Sequence, residues 1–261
     1  MRALRWNKLK ALIFRDFIIL TRAKWRLVEA VYFPITTILI WGFFALYSRQ
    51  IAIEAGLIVL VINIFWNFAY IAQSTANLQI MEDTWSGSLK QVLLSGIDEF
   101  EYIIARLITA TIISLVVMIL ILFLAYLFTP ELFRQPLLLA ALTGITLIGS
   151  LALAVIVAAI YIATGREYAF LSWTALQLFI LLSFPFNPVT ILPKILQYIA
   201  YAMPFTFIFQ AARTLATTNI ISGALLAKSL LVVLLYFILG WPLYYLAFKR
   251  ARKTGGLVKI S

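Results

Sequence analysis

The chain has 261 residues, of which 64% are hydrophobic and only 12% charged, and its mean hydropathy is +1.03. A soluble domain is about 45–50% apolar and about 25% charged, so a soluble fold could not bury this much apolar surface, whereas lipid accepts it. With no cysteine or histidine, disulfides, thiol chemistry and the commonest metal ligand are excluded, and a net charge of +11 in such a chain points to basic anchors beside anionic lipid rather than to nucleic acid.

Residues 1–27 form a basic arm carrying eight Lys and Arg against one acid, Asp16. Trp6, Leu9, Ile13, Phe17 and Leu20 recur at helical spacing, with Arg5, Lys8, Arg15 and Arg22 on other faces. That pattern predicts an amphipathic helix lying in the membrane interface. It does not read as a signal peptide, because the basic part is too long and no small-residue cleavage site follows.

Residues 28–261 then hold six apolar runs near the length that a helix needs to cross about 30 Å of hydrocarbon. They are Ala30–Tyr47, Gly56–Ile80, Leu107–Phe128, Leu137–Thr164, Tyr168–Phe186 and Ser229–Phe248. The second run carries a polar stripe of Asn63, Asn67, Tyr70, Ser74 and Asn77, with Trp66 beside it. Lipid cannot solvate such a face, so it must look inward. It is either interhelical hydrogen bonding or the wall of a path, and the two readings are compatible. After the fifth run, Pro185, Pro188 and Pro193 interrupt the apolar pattern.

Charge sets the expected orientation. With an even number of crossings and both ends cytoplasmic, sixteen of the 21 Lys and Arg fall inside and five outside. Residues near Ser86 and Ser261 are then cytoplasmic, and Gln50 and Gln135 are outside. No Asp, Glu, Lys or Arg interrupts the runs, and Glu29 and Glu54 stand at their ends. Proton- or sodium-driven carriers place such groups at depth. Gly144 and Gly149 have phosphate-loop spacing, but Ser150 stands where the phosphate-binding lysine belongs and the segment lies inside a span. No catalytic residues and no metal site are expected, and the energy must come from another protein.

The segment 81–102 interrupts this apolar order. Leu89, Val92 and Leu93 mark one face of a short helix, and Gly96 suits its end. Asp98 followed by Glu101 forms a capping box for the next helix. Five acids face a single lysine, Lys90, which runs against the positive-inside trend. The apolar stripe is expected to face water and to meet a protein partner, with the acids pairing that partner's basic groups.

Here Glu82, Gly87, Leu89, Leu93, Leu94, Ser95 and Glu101 follow a pattern found between the second and third spans of type-2 ABC exporter permeases. The chain resembles that family. Residues 191–215, with Pro193, Pro204, Gln210, Arg213 and Leu215, are similar to the family's segment before its last span. Where the family often has Arg after the coupling-loop Glu, Asp83 stands here.

The resemblance implies an all-α membrane protein of six transmembrane helices with an N-terminal interfacial helix. Glu82, Gly87, Leu89, Val92, Leu93, Leu94 and Glu101 would belong to a coupling helix seated on a separate ATPase subunit. Segment 187–216 would fold as outer re-entrant helices, with Pro193, Pro204 and Arg213 at an outer gate. Asn63, Trp66, Asn67, Tyr70 and Gln177 are candidates for the substrate path. A homodimer with two ATPase copies would export a drug-like or lipid-like amphiphile. No cofactor would sit on this chain, and ATP and Mg would bind the partner. Export of lipid-linked polysaccharide is the alternative within the family. A lipid-modifying membrane enzyme and an energy-free channel or scaffold are the rivals from other classes.

Overall fold

The computed structural model describes residues 5–22, 24–48 and 53–253, and every regular element among them is helical. The elements are α1 (Trp6–Arg22), α2 (Lys24–Ser48), α3 (Ile53–Trp85), α4 (Ser88–Leu94) and α5 (Glu99–Phe128). They continue as α6 (Pro136–Thr164), α7 (Leu171–Leu182), α8 (Lys194–Ala202), α9 (Thr206–Thr218) and α10 (Gly223–Lys253). Five helices, α2, α3, α5, α6 and α10, are long and apolar enough to cross a membrane, or six crossings if the bent pair α8–α9 counts as one. Gln50 and Ser261, where the expected orientation would also be read, lie outside the described residues.

α3 is the central column, packed against α2, α5, α6, α7 and α9. Arg5 at the start of α1 bonds Glu101, and Arg252 at the end of α10 pairs with Glu99. Both described ends therefore lie at one end of the bundle, here called basal. α6 and α10 run parallel, since Gly149 faces Val233 and Gly240 faces Val155. Their glycines permit this approach, because a Cβ on Gly240 would stand 3.3 Å from a Val155 methyl. Two parallel descents require a return, and α7 to α9 provide it.

That return differs from the expected fifth span. The run 168–186 yields only α7, whose 12 residues cover about 18 Å. Gly165, at φ 85, stops α6, and Phe184 takes left-handed φ 47 just before Pro185. An apolar run fixes burial, but these backbone breaks fix helix length. Beyond it α8 and α9 meet at 93°, with buried Pro204 in the break. The corner reaches deep: Phe205 approaches Gly149, and the Tyr236 hydroxyl donates to the Ala202 carbonyl at 3.0 Å. Gly149 and Tyr236 each lie about 20 Å of helix from the first residues of α6 and α10. α9 then rises from this corner to the distal end, where Leu215 and Asn219 lie beside Leu57, Thr129 and Leu132.

Close helix contacts make one packing test direct. A Cβ on Gly56 would stand 2.9 Å from the Ala45 Cα, on backbone that cannot rotate away. Gly56→Val should push α2 from α3 and cost about 1–3 kcal/mol, read as a lower melting temperature in detergent.

Candidate functional site

Three groups of expected site residues can be located, beginning at the basal end. The capping box forms as its spacing demands, with Asp98 accepting from the Glu99 amide at 2.7 Å and Glu101 accepting from the Asp98 amide at 3.0 Å. Gly87 (φ 73) and Gly96 (φ 78) bracket α4 in conformations that glycine adopts without strain.

The α4 stripe corrects the expectation of a water-facing surface. Leu89 and Val92 are buried in a core with Leu9 and Leu12 of α1 and Tyr102 of α5, and Leu93 packs against the same core. A docked α1 supplies the apolar partner that the stripe needed. The exposed apolar groups here are instead Leu94 and Trp85, 76% and 49% exposed. Beside them a groove of about 580 Å³ opens between α1 and α4, lined by Arg15, Ile19, Glu82, Ser86, Ser88 and Gln91 among others.

Three of the loop's acids, Asp83, Glu99 and Glu101, are corrected in the same way, since their cations come from this chain. Glu101 accepts from Arg5 at 3.0 Å, and Glu99 pairs with Arg252. Hydrogen bonding to Glu101 raises the Arg5 guanidinium further above its already basic range. Asp83 receives Arg15 at 2.9 and 3.0 Å, Arg106 at 2.6 Å, the Tyr102 hydroxyl at 2.7 Å and the Ser88 hydroxyl at 2.8 Å. Asp16 pairs with Arg106 and accepts from the Thr109 hydroxyl at 3.1 Å. The Arg106 guanidinium, only 1% exposed, lies 4.7 Å over the Tyr102 ring. Two arginines and two aspartates thus form a neutral cluster joining α1, α3 and α5.

α1 also grips the far end of α4. Lys8 donates to the Ser95 and Gly96 carbonyls at 3.3 and 2.9 Å, and Arg5 also donates to the Gly96 carbonyl. Cations suit the carbonyls that a helix leaves unsatisfied at its C-terminus. Through Asp83–Ser88 at one end and these bonds at the other, α4 is fastened to α1 along its length. The expected faces of α1 shift accordingly. Leu9, Leu12 and Asp16 are buried in the protein, whereas Trp6 and Phe14 are exposed. Arg5, Lys8 and Arg15, assigned to other faces, are the contacts that hold the loop.

The α3 stripe divides. Asn63, Asn67, Ser74 and Asn77 are buried, and Tyr70 is half-buried. Asn63 and Asn67 bond carbonyls of their own helix, at Val59 and Asn63. Asn77 reaches the Ala154 carbonyl of α6 at 2.9 Å, and Gln73, which the spacing did not single out, reaches Ser172 of α7 at 3.2 Å. The basal part of the stripe therefore joins helices. At the surface, the Trp66 indole N–H donates to the Gln177 side chain at 3.1 Å, linking α3 to α7, and Gln177 is exposed. In this conformation Trp66, Tyr70 and Gln177 reach the surface, and Asn63 and Asn67 do not.

The third group joins the second. Phe186 rests 6.3 Å from the Trp66 ring, and its neighbour Pro185 accepts from Arg213 of α9 at 3.3 Å. Pro193 starts α8, and Pro204 sits in its bend to α9. Trp66, Gln177 and Arg213 thus belong to one region around the end of α7.

A helical bundle with several membrane-length helices, a buried cluster of ion pairs at its basal end and a clamped helix beside it defines a multi-pass membrane protein with a structured basal loop. The sequence profile of the ABC-2 type transporter family matches residues 7–217, from α1 through α9, and the chain belongs to that family. It is the membrane-spanning permease subunit of an ABC transporter, a class that works with an ATPase partner. Comparison with curated proteins gave no match.

Proposed function

We propose that this chain is the permease half of an exporter, acting as a homodimer with two ATPase subunits that bind ATP and Mg. The basal end is cytoplasmic, in keeping with the Lys and Arg excess there. α4 is the coupling helix and α1 an interfacial helix locked to it. α7 makes the fifth crossing with the help of the turn that follows it, and α8–α9 is a re-entrant pair entering from outside. The corner of that pair beside Gly149 and the return of α9 to the distal end support this reading. Residues 28–261 form one transmembrane domain on this account. Glu82, Gly87 and Leu94 border the ATPase contact, and Leu89, Val92, Leu93 and Glu101 hold its shape.

A path along Trp66, Tyr70 and Gln177 suits an amphipathic substrate, because its polar groups carry no charge. Alternating access follows if movement of the ATPase subunits shifts α4 and α1 together. The observation that carries the proposal is α4 itself, a short helix braced at both ends within an ABC-2 permease yet presenting Leu94 outward, with Trp85 exposed at the end of the preceding α3.

Co-purification with an ATPase subunit tests the assignment, and a chain recovered alone under mild detergent would count against it. Topology is tested by single cysteines, which are clean because the chain has none. Ser86→Cys should be shielded from an impermeant thiol reagent in intact cells, and Gln135→Cys should react. Labelling of Ser86→Cys in sealed cells would reverse the orientation.

A further inference from the structure

Arg213 differs from the paired arginines at the basal end. Arg5, Arg15, Arg106 and Arg252 each meet a carboxylate. Arg213 meets only the Pro185 carbonyl at 3.3 Å, and no carboxylate among the described residues reaches it. It is half-buried on α9, about 10 Å of helix above the α8–α9 corner and about as far below the distal end. A guanidinium carries five N–H donors in a rigid fork, so one long bond leaves most of them unused. Leaving a cation part-desolvated and unpaired is costly, and within a membrane protein it marks a site by default.

The neighbourhood carries a second sign. Gln210 stands one turn before Arg213, partly exposed, and its amide has no partner among the described residues. Thr214 and Thr217 continue this polar flank of α9, whose opposite face is buried through Ile208, Phe209, Ala212 and Leu215. Pro185 and Phe186 connect the flank to Trp66 and Gln177. An uncharged aromatic and amide surface therefore leads to an isolated cation at the distal side.

We propose that Arg213, assisted by Gln210, binds the anionic head of the exported amphiphile as it leaves, and that the head is a phosphate-type group. The fork of arginine matches two phosphate oxygens, and the position of Arg213 between the corner and the distal end suits a head moving outward while its apolar tail stays beside Trp66 and Phe186. Bulk phospholipid offers the same chemistry, so the test must separate the two sources. The inference rests on the exporter reading above.

The test uses the complete permease–ATPase complex in phosphatidylcholine vesicles, with dodecyl phosphate and dodecyl maltoside as probes and ATPase stimulation as readout. Dodecyl phosphate should stimulate at the lower concentration. Arg213→Gln should raise its half-stimulating concentration about tenfold or more, the effect of losing a charge-assisted hydrogen bond. The maltoside response should not move. Arg213→Lys, which keeps the charge but loses the fork, should fall between, and size-exclusion profiles should show all variants assembled. An equal shift for both probes, or no shift, overturns the inference while leaving the exporter reading intact. A shift confined to vesicles containing phosphatidylglycerol also overturns it, making Arg213 an anchor for bulk headgroups. If dodecyl phosphate does not stimulate hydrolysis in a complex that retains its ATPase, the inference falls, while the exporter reading stands or falls on co-purification.

Discussion

Replacing Arg106 with methionine is expected to loosen α1 from the bundle and to cost about 3–5 kcal/mol, the usual effect of removing one partner from a buried ion pair. The size of the loss follows from what stays behind. Asp16, 4% exposed, would keep only Arg15 at 3.4 Å and the Thr109 hydroxyl. Asp83 would keep Arg15, Ser88 and Tyr102 but lose its 2.6 Å contact with Arg106. The uncompensated charge is therefore mainly that of Asp16. Adding Asp16→Leu to Arg106→Met should restore much of the loss, because replacing a buried pair by apolar groups is often neutral. Thermal unfolding of the wild type, both single variants and the double variant gives the coupling directly. A single Arg106→Met variant as stable as the wild type would mean that the cluster does not hold α1.

This cluster also marks the limit of sequence reading. Asp98 and Glu101 are three residues apart, so their capping box is a local pattern and could be read before any fold was known. The long apolar runs were legible for the same reason, as length and polarity together demand lipid. Arg106 could be seen, but its partner Asp16 is far away in sequence, and no periodicity links a basic arm to a later helix. Without that link the acids of the 81–102 loop looked unpaired. Leu89 and Val92 illustrate a subtler failure. Their spacing gave the right face of the right helix but not what covered it, and a partner inside the chain proved nearer than one outside. The fifth run misled differently, since hydropathy cannot register Gly165 and Phe184 ending helices at its edges. Trp66 and Gln177 were each noticed separately, and only the packing of α7 on α3 could join them.

Those corrections decide which residue tests coupling. Leu93 packs against the basal core, so a charge there would disturb α1 docking and ATPase docking at once. Leu94 is 76% exposed and contributes to no core cluster, so a charge there leaves the isolated chain undisturbed. An exposed leucine on a braced helix offers an apolar contact of the kind that partners cover. Leu94→Asp should therefore insert and fold normally, with an unchanged melting temperature for the permease alone. Burying its unpaired carboxylate against a partner costs several kcal/mol, which weakens docking by about two to three powers of ten. Recovery of the ATPase on the purified permease should collapse, and substrate-stimulated hydrolysis should disappear with it. Leu89→Asp is the contrasting variant, because it should lower stability before any partner is added. Full ATPase recovery with Leu94→Asp would remove α4 from the docking surface and leave it as a brace for α1 alone.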